Sequence, residues 1–366
     1  MLKIIFIIII ILHGLIHLMG FVKAYGYADV SALKREISKP MGIIWLVATV
    51  LFVTTAILFA FGNDAWVYVG IASMIVSQAM IWMYWQDAKL GSIVNVLVLI
   101  VVFSSFFHQD FKYKYKREVT AGLTQTSNIP SDILTEEDIK HLPPLIQKYI
   151  RYSQSVGKPK IHNFKVTMSG EIRSYESQDG MPFTSEQYNF IPATTRLFFL
   201  NATKKLLPVS GLQSFKGGVA SMDIRLLSTF NLQNMEGKEM NVSETVTFFH
   251  DLCWLAPGAL IDERIRWKIS EGNRVSATFT FNGITVAAWL YFNQKGELVN
   301  FESEDRYAVN IDGKNTQLSW RTPLEEYKEI GGYRLASYAT TITTYDNGDF
   351  VNATFNIDDV KVNLTK

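Results

Sequence analysis

The residues of this chain best suited to chemistry are its histidines and one cysteine. His13 and His17 are four apart, so on a helix they share one face. Neutral imidazoles there could ligate a metal or haem, or serve a proton or quinone role. Two imidazoles do not fill a tetrahedral site, and no carboxylate or cysteine lies near them in sequence. The alternative is that both hydrogen-bond to neighbouring helices. Further along, His250-Asp251 comes just before Cys253. A cysteine nucleophile needs a base placed by tertiary structure and an oxyanion site. A buried cysteine acting as a small hydrophobe needs neither. Glu302, Glu304, Asp305 and Arg306 lie near a strand end. Paired carboxylates could hydrolyse a glycoside, whereas a solvated strand face balanced by arginine would do no chemistry.

The chain holds no Gly-rich phosphate loop, no His-Glu-x-x-His and no Gly-x-Ser-x-Gly. Its 35 basic and 34 acidic side chains leave a net charge of +1, without the basic excess of a nucleic-acid binder. Cys253 is the only cysteine, so no intramolecular disulfide or thiolate zinc cluster can form. These observations imply no catalytic residue, no cofactor and no metal. An envelope hydrolase with an unrecognised site stays open as an alternative.

The elements that must position these residues begin with four apolar runs: Lys3 to Phe21, Gly42 to Phe61, Ala65 to Trp85 and Leu90 to Phe107. Each approaches the roughly 20 residues that a helix needs to cross the hydrocarbon. No Asp, Glu, Lys or Arg falls deep inside any run, which argues against proton-coupled transport. Gln78 and Asn95 fall inside the third and fourth runs and should bond between helices. Four spans put both termini on one side. Lys3, Lys112, Lys114, Lys116 and Arg117 flank that side, and Lys23, Lys34, Arg35, Lys39 and Lys89 flank the other. Five against five leaves the sidedness undecided by charge.

Residues 111–132 read as a basic juxtamembrane segment followed by a linker. Thr135 with Glu136, Glu137 and Asp138 forms a helix start. Leu145, Ile146, Tyr149 and Ile150 continue at helical spacing. Beyond residue 160 the period becomes two, with turn signals at Asn282-Gly283, Lys295-Gly296 and Asp312-Gly313. One segment, Ser243 to Leu255, breaks the pattern and predicts a helix packed on the sheet, ending at Pro257. The fold expected is multidomain α+β: a four-helix transmembrane module over 1–110, the juxtamembrane linker over 111–132, then a helix and an antiparallel β half-barrel over 133–366.

Four segments carry a resemblance: Tyr149-Ile-Arg-Tyr152, Val156-Gly-Lys-Pro-Lys160, Trp254-Leu-Ala-Pro-Gly-Ala-Leu260, and Tyr327 to Gly331. Together they resemble a family of uncharacterised bacterial proteins, several of which carry N-terminal membrane helices. The resemblance assigns no activity and no role to any residue. The expected sheet also resembles the open barrels of periplasmic lipoprotein-carrier proteins. It implies a C-terminal domain outside the cytoplasm of a bacterial cell, anchored in the cell membrane by several spans.

The function expected is a membrane-tethered module binding a hydrophobic or lipid-like ligand in the cell envelope. Its partners would be membrane lipid, a hydrophobic ligand or an envelope protein, and not nucleic acid. Trp254, Trp267, Trp289 and Trp320 are the candidate lining residues, since each offers large apolar area. The competing reading is a non-enzymatic membrane scaffold with a filled sheet and a role in protein contacts.

Overall fold

The computed structural model describes residues 2–130, 132–174, 180–205, 207–309 and 315–366. The chain divides into two compact units, Met1–Asp110 and Phe111–Lys366. The first contains helices α1 (Leu2–Ala24), α2 (Lys39–Ala60), α3 (Trp66–Met83), the short α4 (Trp85–Ala88) and the start of α5 (Gly91–Thr126). Among the described residues, α1, α2, α3 and α5 are long and apolar enough to cross a bilayer, which makes this a multi-pass membrane protein. Pro40 stands at the start of α2, where its missing N–H costs no helical hydrogen bond. Small residues let α1 and α2 approach closely. A Cβ on Gly14 would come within 2.8 Å of Phe52, and one on Gly20 within 2.2 Å of the Trp45 ring.

Among the described residues, the second unit is built on an antiparallel sheet of 13 strands. Strands β1 (Asn163–Arg173), β2 (Gly180–Phe190), β3 (Thr195–Lys204), β4 (Leu207–Lys216), β5 (Val219–Leu226) and β6 (Phe230–Glu236) walk outward to one edge. Helix α8 (Lys238–Leu255) and a 3-10 turn, Pro257–Ile261, carry the chain to the other edge. There β7 (Ile265–Glu271) begins the return through β8 (Arg274–Phe281), β9 (Ile284–Phe292), β10 (Leu298–Ser303), β13 (Trp320–Ile330), β14 (Tyr333–Tyr345) and β15 (Gly348–Val362). The last strand pairs with β1 and joins the two meanders. The small pair β11 (Tyr307–Val309) and β12 (Asn315–Gln317) stands apart. Because β6 and β7 are edges that do not pair, the sheet is open. The turn between β8 and β9 has Asn282 and Gly283 both at positive φ, as a two-residue hairpin requires.

Helix α8 crosses one face of this sheet and buries every residue from Ser243 to Leu255. Helices α6 (Glu136–Ile139) and α7 (Pro144–Tyr152) pack into the same core. The expected start at Thr135 is a full capping box with Asp138.

One expectation is corrected. Residues 111–126, read as juxtamembrane segment and linker, are instead the second half of α5. Phe111, Tyr115 and Val119 recur every four residues and pack with Tyr188, Phe190, Leu197 and Phe199 on the other face of the sheet. Lysines between those positions gave the stretch its basic, unstructured look. The apolar stripe beneath them makes it an amphipathic helix.

Candidate functional site

Two places in the second unit gather functional side chains, one on each face of the sheet. On the α8 face, strand pairing sets Asn189 opposite Arg196, and Gln187 opposite Phe198, which is opposite Gln213. Helix α8 lays Glu244 and Asp251, seven residues apart, over this polar patch. Arg196 then donates through Nε to Asp251 Oδ2 at 2.8 Å, and through Nη1 to Gln213 Oε1 at 2.9 Å and Glu244 Oε2 at 3.3 Å. Its Nη2 donates to Gln187 Oε1 at 2.8 Å. Gln187 Nε2 and Asn189 Nδ2 donate to Asp251 at 2.7 and 3.2 Å, and Gln213 Nε2 donates to Glu244 at 2.6 Å. All these groups except Gln213 are buried.

Arg306 enters from the segment after β10. It donates to the Ser243 carbonyl at 3.0 Å and to the Thr247 hydroxyl, and lies 4.8 Å over the Trp320 ring. Two arginines thus balance two carboxylates. Burial alone would raise the Asp251 carboxyl, but the Arg196 charge and the His250 ring beside it, 3.6 Å away, outweigh it and hold Asp251 below its ordinary range. Burial pushes His250 down despite Asp251, so His250 is neutral at pH 7. Its ring sits among Trp254, Phe301 and Trp320. Burial, and then Asp251, push the Cys253 thiol well above its ordinary value. A thiol held protonated in the core is no nucleophile. This cluster fastens α8 to the sheet and has no reacting group open to substrate.

The other face carries a groove of about 270 Å³ between the second half of α5 and strands β1, β2, β3 and β15. Tyr115 and Phe199 give it an apolar side, and Lys112, Glu186, Asn201 and Asp358 a polar one. The Tyr115 hydroxyl donates to the Glu186 carbonyl at 3.0 Å, which fixes the helix against β2. Glu186 pairs with Lys165 at 2.5 Å. Ser169 donates to one oxygen of Asp358 at 3.2 Å.

A family model described as a family of unknown function (DUF6544) matches residues 132–355. The chain belongs to this family. No curated protein matches it. Among solved structures, it is similar to a domain from Vibrio parahaemolyticus named for outer-membrane lipoprotein sorting. That match has 13% identity and a TM-score of 0.33, and covers 55% of this chain and 85% of the other. A LolA superfamily protein from Nitrosomonas europaea matches at 11% identity and TM-score 0.32, covering 60% and 91%. A DUF1329 family protein from Desulfovibrio piger matches at 10% and 0.36, also covering 60% and 91%. The scores are low, and nothing further about this chain follows from them.

The four segments that carried the family resemblance meet in space in this DUF6544 chain. The Tyr149 hydroxyl donates to the Cys253 carbonyl at 2.8 Å. The rings of Tyr152 and Tyr327 meet edge to face at 5.6 Å. A Cβ on Gly258 would come within 3.1 Å of Ser155, beside Val156. These segments lock α7 to the end of α8 and to β13.

The four candidate tryptophans do not share one surface. Trp254, on α8 itself, and Trp320, on β13, are both buried in the core between helix and sheet, and the Trp254 indole donates to the Ala336 carbonyl at 2.9 Å. Trp267 packs on the same core near the sheet edge. Trp289 alternates with buried Ala288 and Leu290, faces the other way, and lies under Arg274 at 4.4 Å. Glu302 accepts from the Tyr291 hydroxyl at 2.9 Å, and Asp305 accepts from the Ala287 amide at 2.6 Å.

In the membrane unit, His13 and His17 bond between helices. His13 Nε2 lies 3.0 Å from Asn95 Oδ1, and His17 Nε2 lies 2.9 Å from the Ser77 hydroxyl. Asn95 Nδ2 donates to Gln78 Oε1 at 3.0 Å. Among the described residues, no group of three or more His, Cys, Asp or Glu could hold a metal.

Sequence reasoning did not find Arg196, Glu244, Gln187 or Asn189. The available signal was two acids, Glu244 and Asp251, at i and i+7 in a helical segment rich in Phe, Leu and Trp. Such acids need a buried cation, and the sequence does not say which of the 35 Lys and Arg supplies it.

Proposed function

We propose that this chain is a membrane-tethered module that binds a lipid-like ligand, taking the ligand's polar end in the groove beside α5. The observation that carries the reading is that the groove wall is the fourth membrane-length helix itself. Lys112 and Tyr115 follow Phe107, the last residue of the apolar run, by five and eight residues on one continuous helix. Along the helix axis they come about 7.5 and 12 Å after it, at about 1.5 Å per residue, and in this reading they meet the lipid headgroups. Tethering holds the groove permanently among its ligands. The size fits this use. Sites for whole drug-sized molecules run from about 300 to 1,000 Å³. A groove of about 270 Å³ takes a headgroup and leaves acyl chains in the bilayer. The α8 face is closed by its own helix, so the ligand site lies on the opposite face. Trp254 and Trp320 then support the sheet, and Trp289 stands on the face the ligand approaches.

The experiment is lipid extraction and mass spectrometry of the full chain purified in mild detergent, beside an Asn201→Trp variant that fills the groove rim. Bound lipid that falls several-fold in the variant supports the reading. Equal lipid in both rejects it.

We take the C-terminal unit to lie outside the cytoplasm. A reporter enzyme active only in the cytoplasm, fused after Lys366, should be silent, and activity would place the unit inside.

A further inference from the structure

The charges of the groove specify a class of headgroup, an inference that rests on the lipid-binding reading above. Lys112 projects from α5 and Asp358 from β15. Both line the same small groove, and neither has an ion-pair partner within 4.0 Å among the described residues. Glu186, the other acid of the groove, is already paired with Lys165. The Ser169 hydroxyl occupies one oxygen of Asp358, which leaves its second oxygen to accept from a ligand. The groove therefore offers one ammonium and one carboxylate oxygen, of opposite sign and held apart.

We infer that the groove recognises a phospho-amine zwitterion, with the phosphate on Lys112 and a primary ammonium on Asp358. Binding an anion alone would leave the Asp358 carboxylate facing it, and binding an amine alone would leave it facing Lys112. A zwitterion satisfies both walls without adding net charge. A primary ammonium donates three hydrogen bonds, to Asp358 and to neutral oxygens such as that of Asn201. A trimethylated amine donates none. The chemistry is therefore that of a phosphoethanolamine group, carried by a lipid or free in solution.

The test uses the full chain in nanodiscs of mixed phosphatidylethanolamine, phosphatidylcholine and phosphatidylglycerol, with retained lipid measured by native mass spectrometry. Phosphatidylethanolamine should be enriched several-fold over both others. Asp358→Asn should erase the preference over phosphatidylcholine, and Lys112→Gln should lower retention of all three. Soluble phosphoethanolamine that displaces the lipid at low millimolar concentration supports the same chemistry with a free source. Resistance to displacement, with the enrichment intact, supports the lipid as source. Equal retention of all three lipids, still sensitive to Asn201→Trp, overturns the headgroup inference and leaves lipid binding standing. Retention insensitive to Asn201→Trp overturns both.

Discussion

Arg196 on β3 donates through Nε to Asp251 on α8 at 2.8 Å, with both side chains buried. This contact couples the helix that joins the two sheet edges to the middle of the first meander. A buried ion pair is expensive to desolvate, and removing one partner leaves the other uncompensated. Arg196→Met should therefore cost about 3–5 kcal/mol, because it strands both Asp251 and Glu244. Denaturant unfolding of the C-terminal unit within the full chain, followed by tryptophan fluorescence, measures this.

Acid should loosen the same helix. The folded-state value of His250 lies below its ordinary 6.5, so below that pH the unfolded chain binds a proton that the folded chain refuses. Stability from this group is complete above pH 6.5 and is lost as pH falls beneath it. Asp251, also held low, adds a loss of the same sign at more acidic pH, below its ordinary 3.8. The unfolding free energy should drop between pH 7 and 5, with a slope of at most about 1.4 kcal/mol per pH unit from His250, and melting temperature should fall with it. His250→Gln should flatten that slope. An unchanged slope would assign the acid sensitivity elsewhere.

Cys253 should be silent toward thiol reagents. It is fully buried and its thiol is pushed upward. Alkylation of the native full chain should be negligible over hours and complete once the chain is denatured. Rapid native labelling would contradict the closed core.

Gly122 lets α5 approach the sheet closely. A Cβ there would come within 2.4 Å of the Phe190 ring. Alanine favours a helix by nearly 1 kcal/mol over glycine, yet Gly122→Ala should destabilise by about 1–3 kcal/mol through overpacking. Limited proteolysis between residues 111 and 130 should quicken in this variant.

Asn95 holds the membrane unit together through His13, Ser77 and Gln78. Interhelical bonds of this kind contribute about 0.6 kcal/mol on average and up to about 1.7. Asn95→Leu should lower stability in detergent by roughly 1–2 kcal/mol without changing the number of spans. Thermal melting of the purified chain reads this.

Much of this architecture was legible in residue order because it follows from local periodicity. A span needs only a long enough run of apolar side chains, and a strand only alternation with turn residues between. The capping box at Thr135 and the hairpin at Asn282-Gly283 are likewise short-range chemistry. Residues 111–126 were misread because their lysines are conspicuous and the apolar stripe of Phe111, Tyr115 and Val119 is thin. Its partner surface, Tyr188 to Phe199, lies some seventy residues later. The long-range partners depended on tertiary structure alone. Sequence spacing could not pair Arg196 with Asp251, since that contact depends on which strands α8 crosses. Nor could it set Trp289 on the face away from Trp254, because one step of strand register exchanges the faces. The groove beside α5 has the same origin: helix, β1, β2, β3 and β15 meet there only because the last strand returns to pair with the first.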